Sequence, residues 1–237
     1  MTVVDRTART AGVLLITATA ASLVGSALLG PVLDGSDFLT RVFEHQDRVL
    51  WGAFMIVISA FTSAGIAIAL YPVLRPYSRG LALGSVGFRV MEASMYLVSA
   101  LGPLLLVGLS QDVARGDAGR TLGTTLKALR DQAGMLGALA FYIGGGMYYV
   151  VLHQSRLIPR WLSDWGLVAV ALGFVAGALV VFQVTTFGSP LMVGLNLPIF
   201  VQELVMAVWL LVRGFAQGTG ARQLRHPDAA GLTRARA

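Results

Sequence analysis

Arg89 and Glu92 stand in the middle of an otherwise apolar run over residues 80–111. The run is long enough for a helix that crosses a bilayer, and an ionised side chain at the centre of such a helix costs about 2.5–3.5 kcal/mol on insertion scales. A chain carrying that charge inside a membrane has to surround it with other helices. Three residues apart, Arg89 and Glu92 share a helix face, and Tyr96 follows one turn further along the same stripe. A third intramembrane charge, Glu203, lies far away in sequence. The expectation is that the fold returns it to this stripe, giving one intramembrane polar cluster of Arg89, Glu92, Tyr96, Asn196 and Glu203.

Composition agrees with that premise. With 56% hydrophobic and 13% charged residues and a mean hydropathy of +0.73, the chain falls outside the range of soluble domains. The fold class expected is all-α, a polytopic membrane bundle of six transmembrane helices, since 237 residues leave no room for a sizeable soluble domain beside them. A net charge of +6 suggests nucleic acid at first sight, but the arginines fall between apolar runs. There they set topology and meet anionic lipid at the cytoplasmic face, which makes the lipid bilayer the expected partner and excludes nucleic acid. The absence of cysteine excludes disulfides, iron–sulfur ligation and thiolate chemistry. His45, His153 and His226 fall in separate segments at or beyond the membrane edges, so no haem or metal site is assembled, and neither a cofactor nor a catalytic residue is expected.

In chain order, Arg6 and Arg9 precede an uncharged run over residues 10–33. It exceeds the ~7–15-residue apolar core of a secretory signal and is read as an uncleaved first span. Its small residues Ala21, Ser22, Gly25 and Ser26 would let another helix approach closely. Between Pro31 and Arg48, the acids Asp34, Asp37, Glu44 and Asp47 accompany Phe38, Leu39, Val42 and Phe43 at helical spacing. This predicts a short amphipathic helix at the interface.

The second span, over 49–71, carries Trp51 and Tyr71 at the two interfacial depths and is broken by Pro72 and Pro76. The third, over about 80–109, opens on Gly80 and Gly84, a pair suited to close packing, with a kink expected at Gly102 and Pro103. Residues 110–131 are polar and read as a loop with an interfacial helix. In the fourth span, over about 132–152, Tyr142 and Tyr149 share a face. Gly144, Gly145 and Gly146 between them lack the strand and the Lys-Ser/Thr of a phosphate loop. A basic turn over 153–164 leads to a fifth span over about 165–186, with Gly173 and Gly177 as a second close-packing pair. Asn196 and Pro198 precede the last span, which ends near Arg213. The six-span domain is thus drawn over 1–215, and 216–237 as a disordered basic cytoplasmic tail.

Charge sets the orientation. Of eighteen Lys and Arg residues, eleven lie at the N-terminus, near Arg75, near Arg156 and in the tail, and six near Arg41 and Lys127. The positive-inside rule then puts both termini in the cytoplasm, consistent with an even number of spans. Arg89 and Glu203 each lie ten residues from a boundary arginine, Arg79 and Arg213 respectively. At ~1.5 Å per residue both sit about 15 Å deep, half of a ~30 Å core, with Arg89 in reach of both acids.

Several segments carry a family likeness. They are Thr7-Ala-Arg-Thr-Ala-Gly-Val-Leu, Tyr71-Pro-Val-Leu-Arg-Pro, Leu81-Ala-Leu through Phe88-Arg-Val-Met-Glu92, Ser155-Arg-Leu-Ile-Pro-Arg-Trp-Leu162, and Gln202-Glu-Leu through Trp209-Leu-Leu-Val-Arg-Gly-Phe215. In this order they resemble the bacterial membrane family called domain of unknown function 4386, over almost the whole chain except the tail. The Phe-Arg-x-x-Glu and Glu-Leu-x-x-x-x-Trp-Leu pieces together are the most telling. The resemblance implies a six-span helical protein without an established biochemical role, and no catalytic residue is carried over.

Arginine stays protonated, and two carboxylates compete for this one. The acid left over suits proton-linked transport or sensing; a protonated acid donating a structural hydrogen bond suits a scaffold or partner subunit equally. An intramembrane enzyme is a third reading. A water-accessible cavity reaching the cluster favours the first, a dry cluster the second, and bound lipid beside a polarised acid the third.

Overall fold

The computed structural model describes residues 3–114, 119–186 and 189–216. Among these the chain forms seven α-helices and no strand: α1 (Val3–Leu33), α2 (Phe38–Glu44), α3 (Gln46–Leu74), α4 (Arg79–Ala114), α5 (Arg120–Ser155), α6 (Arg160–Val181) and α7 (Pro190–Val212). All except the short α2 are long and apolar enough to cross a membrane. Neighbours pack in the order α1, α3, α4, α5, α6, α7, and α7 returns to α1, so the six close into a ring of antiparallel helices. The end of this ring that carries Val3 and Ala216 is named the terminal end, and the other the far end.

The outward faces are apolar. On α3, Phe54, Phe61 and Ile68 recur every seven residues and are 51%, 64% and 56% exposed. A water-facing helix would carry polar side chains on that stripe, whereas lipid tails solvate it without penalty. Because lipid is as apolar as leucine, helices in it associate through close packing rather than through hydrophobic burial. Glycines on α6 supply that packing. Gly166, Gly173 and Gly177 are notches occupied by Tyr149, Tyr142 and Leu139 of α5. The seven-residue separation of the two tyrosines matches that of the first two glycines, as antiparallel helices in register require.

The terminal half of the interior is a continuous apolar cluster that includes Leu15, Ile66, Leu70, Leu152, Met206 and Leu210. At the far end α2 buries Phe38, Leu39 and Val42 against Leu29, Leu33, Val49 and Leu106. Arg48 donates to the carbonyls of Leu28 and Ala27, and Arg41 to that of Pro31. Pro31 O is one of the last four carbonyls of α1, and Ala27 O is left without a helical donor because Pro31 has no N–H, so both guanidinium groups fill acceptors that the helix leaves open.

Several boundaries differ from the sequence expectation. Pro72 lies inside α3, because it falls in the last turn and Arg75 N–H still bonds Tyr71 O at 2.9 Å. Among the described residues of 110–131 there is no separate interfacial helix: α4 runs to Ala114 and α5 starts at Arg120. The polar start of α5 is helical because Gly123 packs on Phe38 and Leu39, a tertiary contact that local periodicity does not carry. The fifth span is shifted, α6 beginning at Arg160 and ending at Val181. Asn196 and Pro198 lie within the last span rather than before it, since Ser189 caps α7 by accepting from Met192 N–H and Pro190 opens the helix. Gly80 faces open space, while Gly84 packs on Met147, so one glycine of that pair makes a close contact.

At its end α7 turns through Gly214, whose φ of +68° suits glycine, and Gly214 N–H bonds Trp209 O at 3.2 Å. Phe215 is buried, and Ala216 N–H bonds Leu157 O at 2.8 Å. Packed structure therefore continues through Ala216. The rest of the expected tail lies outside the described residues, as does His226.

Candidate functional site

About a third of the way along α4, Arg89 and Glu92 point into the ring, 2% and 3% exposed. Arg89 Nη1 and Glu92 Oε2 are 3.1 Å apart, an ion pair within one helix. Both also bind α3: Ser63 Oγ donates to Glu92 Oε1 at 2.6 Å, and Arg89 Nε donates to Ser63 O at 3.4 Å. The guanidinium carbon lies 4.7 Å from the centre of the Phe141 ring on α5. Room for Arg89 comes from Gly144, where an added Cβ would meet Phe88 and Arg89 at 3.0–3.3 Å. Gly144 is thus a packing residue in an unbroken α5.

Glu203, on α7, lies across the ring and is buried. Thr19 Oγ1 of α1 donates to Glu203 Oε2 at 3.2 Å. Arg89 does not span the two acids: among the described residues its ion pair is with Glu92. A cavity of about 90 Å³ separates the groups, and Arg89, Glu92, Tyr96, Asn196 and Glu203 all line it, together with Thr19, Ser63 and Tyr142. The fold thus brings the five expected residues around one space, with Glu203 held by a hydroxyl instead of the guanidinium.

A second cavity, about 110 Å³, adjoins the first through Ser22, Ser59, Tyr96 and Ala138, and extends to Ser26, Ser99, Pro103, Arg130 and Asp131. Asp131 also borders a far-end surface groove of about 330 Å³ with Arg120 and Lys127. Hydroxyl groups therefore line a route from the cluster towards the far end. Where it meets the surface, Arg130 Nη1 bonds Asp131 Oδ1 at 2.7 Å, and Ser99 Oγ donates to Arg130 O at 2.9 Å. Towards the terminal end the ring is filled instead. There the Tyr149 hydroxyl donates to Gln202 Oε1, while on the cavity wall the Tyr142 hydroxyl donates to Asn196 Oδ1, each reaching from α5 over an α6 glycine to α7. Gln202 Nε2 in turn donates to Leu162 O at 3.1 Å, tying α7 to α6.

Sequence reasoning missed Thr19, Ser63 and Gln202, which hold the acids and the tyrosine in place. For Ser63 the available signal was the pairing of hydroxyls four residues apart in apolar runs, Ser22 with Ser26 and Ser59 with Ser63; Thr19 and Gln202 carry no such mark. Ser22 and Ser26 read as contact residues, yet they line the cavities, and Gly25 makes the close approach to Gly52 and Ile56. His153 pairs with Asp164, and neither lines the polar cavities. Among the described residues no group of His and acidic side chains could hold a metal ion.

No curated protein and no solved structure matches the chain. One family model does, over residues 10–214. The chain belongs to the family described as Domain of unknown function (DUF4386).

Proposed function

We propose that this is a multi-pass protein of the cell membrane with both termini in the cytoplasm, and that its ring takes up a proton or a very small polar solute from the outer side, in transport or in sensing. The observation that carries this reading is the cavity at Arg89, Glu92 and Glu203 adjoining a hydroxyl-lined route to the far end. Its size restricts the cargo. About 90 Å³ holds about three waters at ~30 Å³ each, and is well below the ~300–1,000 Å³ of pockets for drug-sized ligands.

Charge narrows the reading further. Arg89 and Glu92 balance each other, which leaves Glu203 with a neutral hydroxyl partner and, among the described residues, no cation at ion-pairing distance. An acid so placed is the group able to gain and lose a proton, and acids in spans often mark such pathways. A structural charge lock is the second reading, since the ion pair lies within α4 but Arg89 and Glu92 bind Ser63 of α3 and Glu203 binds Thr19 of α1. The ties between helices come from Ser63, Thr19 and the two tyrosines.

Reconstituted vesicles with an internal pH dye test the site. Wild-type protein should carry protons, alone or with one of a panel of small ions and solutes, and should respond to pH in its tryptophan fluorescence. Glu203→Gln, which keeps an acceptor for Thr19, should fall to the rate of protein-free vesicles and lose the response. Wild-type vesicles that match empty ones for every solute, with pH-independent fluorescence, would overturn the reading.

The route and the orientation have their own check, made simple by the absence of cysteine. Ser99→Cys, beside the route, should be labelled by a membrane-impermeant thiol reagent added outside intact cells. Ser85→Cys, 1% exposed in the terminal half of α4, should stay unlabelled from either side. Labelling of Ser99→Cys only after the cells are opened would reverse the assigned orientation.

A further inference from the structure

The terminal end carries a second feature that the polar cavity does not use. Arg156, Arg160 and Arg213 border one pocket of about 330 Å³ beside Trp209. They come from three places in the fold. Arg156 ends α5 in the left-handed conformation (φ 55°), Arg160 opens α6, and Arg213 ends α7. The backbone bond from Ala216 N–H to Leu157 O closes the pocket on one side and fixes the α7 end against the α5–α6 turn. All three guanidinium groups are exposed, and among the described residues none is at ion-pairing distance from a carboxylate. Like charges gathered with no carboxylate at ion-pairing distance repel one another, and their convergence on one concave site suits an anion.

Two aromatic groups give the depth of the site. Arg213 lies over the Trp209 ring, 5.5 Å from its centre, and Trp209 packs edge-on with Trp161, their centres 6.4 Å apart. Tryptophans at a helix end mark the headgroup level of a bilayer, and guanidinium is the cation that fits phosphate oxygens in pairs. We propose that Arg156, Arg160 and Arg213 form a binding site for a phosphate group at the membrane surface, that of an anionic phospholipid headgroup. The site is separate from the Arg89 cavity and stands whether or not that cavity conducts.

The test uses the full chain in detergent, with native mass spectrometry and thermal melting as readouts. Phosphatidylglycerol should stay bound and raise the melting midpoint, while phosphatidylcholine, equally long in its chains but without net charge, should do neither. Each guanidinium removed should weaken phosphatidylglycerol binding about fivefold, in Arg213→Gln and then in the triple variant with Arg156→Gln and Arg160→Gln. Arg75→Gln, at the same end but outside the pocket, should bind as wild type. If the triple variant does not fold, Arg213→Gln alone decides, since this exposed residue contributes little packing. Inorganic phosphate at matched concentration is the remaining arm: weaker stabilisation than by the lipid supports a headgroup site, and equal stabilisation transfers the site to soluble phosphate and overturns the lipid assignment. Equal binding of the two lipids, or undiminished binding to Arg213→Gln and the triple variant, would overturn the site itself.

Discussion

Arg89→Ala should be the most damaging single substitution in the ring, lowering stability by about 3–5 kcal/mol, the range for breaking a buried ion pair by removing one partner. The Glu92 carboxylate would then keep the Ser63 hydroxyl at 2.6 Å and lose its counter-charge. The structure also names the rescue. Because the ion pair is Arg89 with Glu92, the double variant Arg89→Ala/Glu92→Ala should recover most of the loss, since no uncompensated charge remains. Arg89→Ala/Glu203→Ala should recover much less, because Glu203 is held by Thr19. Thermal melting of six proteins in one detergent, the wild type, the single variants Arg89→Ala, Glu92→Ala and Glu203→Ala and the two doubles, reads this as two double-mutant cycles. Equal rescue by both partners would mean that the two acids share the guanidinium after all.

Gly173→Ala should come next, at about 1–3 kcal/mol, the usual range for overpacking a filled interior. A Cβ built there would lie 2.3 Å from Tyr142 Cε1 and 2.7 Å from Cζ. The ring has no free rotation with which to yield, because its hydroxyl is bound to Asn196 on the cavity wall. Either the helices separate or that hydrogen bond breaks. Tyr142→Leu should relieve the clash, so the pair Gly173→Ala/Tyr142→Leu should melt closer to Tyr142→Leu alone than additivity allows. Gly87→Ala is the control: nothing lies within 4 Å of its built Cβ. It should be neutral or slightly stabilising, as glycine costs about 1 kcal/mol relative to alanine in a helix. A Gly173→Ala protein as stable as Gly87→Ala would show that α5 and α6 are not held in the register described.

What the sequence made legible depended on the range of the interaction. Six apolar runs, the Arg89–Glu92–Tyr96 stripe and the depth match between Arg89 and Glu203 follow from helix geometry and hydropathy, which are local. Where the structure departed, the deciding contact was tertiary at the start of α5 and at Glu203, and local at Pro72 and at the Ser189 cap of α7. Arg120 to Asp131 reads as polar loop because its packing partners, Gly102 and Ser99 of α4 and Phe38 and Leu39 of α2, lie elsewhere in the chain. Pro72 reads as a break because proline removes a hydrogen bond, yet the last turn holds without it. Thr19 is one small residue among many in α1, and nothing near it in sequence marks it as the partner of Glu203. The glycines of α6 were visible as a pattern, but their role as passages for tyrosine hydroxyls needs the α7 amides to be in place.

Closure of the ring has a consequence for how the protein is made. Thr19 and Glu203 are 184 residues apart, and at a synthesis rate of ~5–20 residues per second roughly ten to forty seconds separate their emergence. During that interval α4 is already in the bilayer without α7 to close the site behind it. Its two charges are three residues apart on the same helix, so each enters lipid with its counter-ion already attached. Glu203, the acid that lacks such a companion, lies on the last helix to be delivered, when the other five are waiting to receive it. The order of the spans along the chain thus lets Arg89, Glu92 and Glu203 each be sheltered from the moment of insertion.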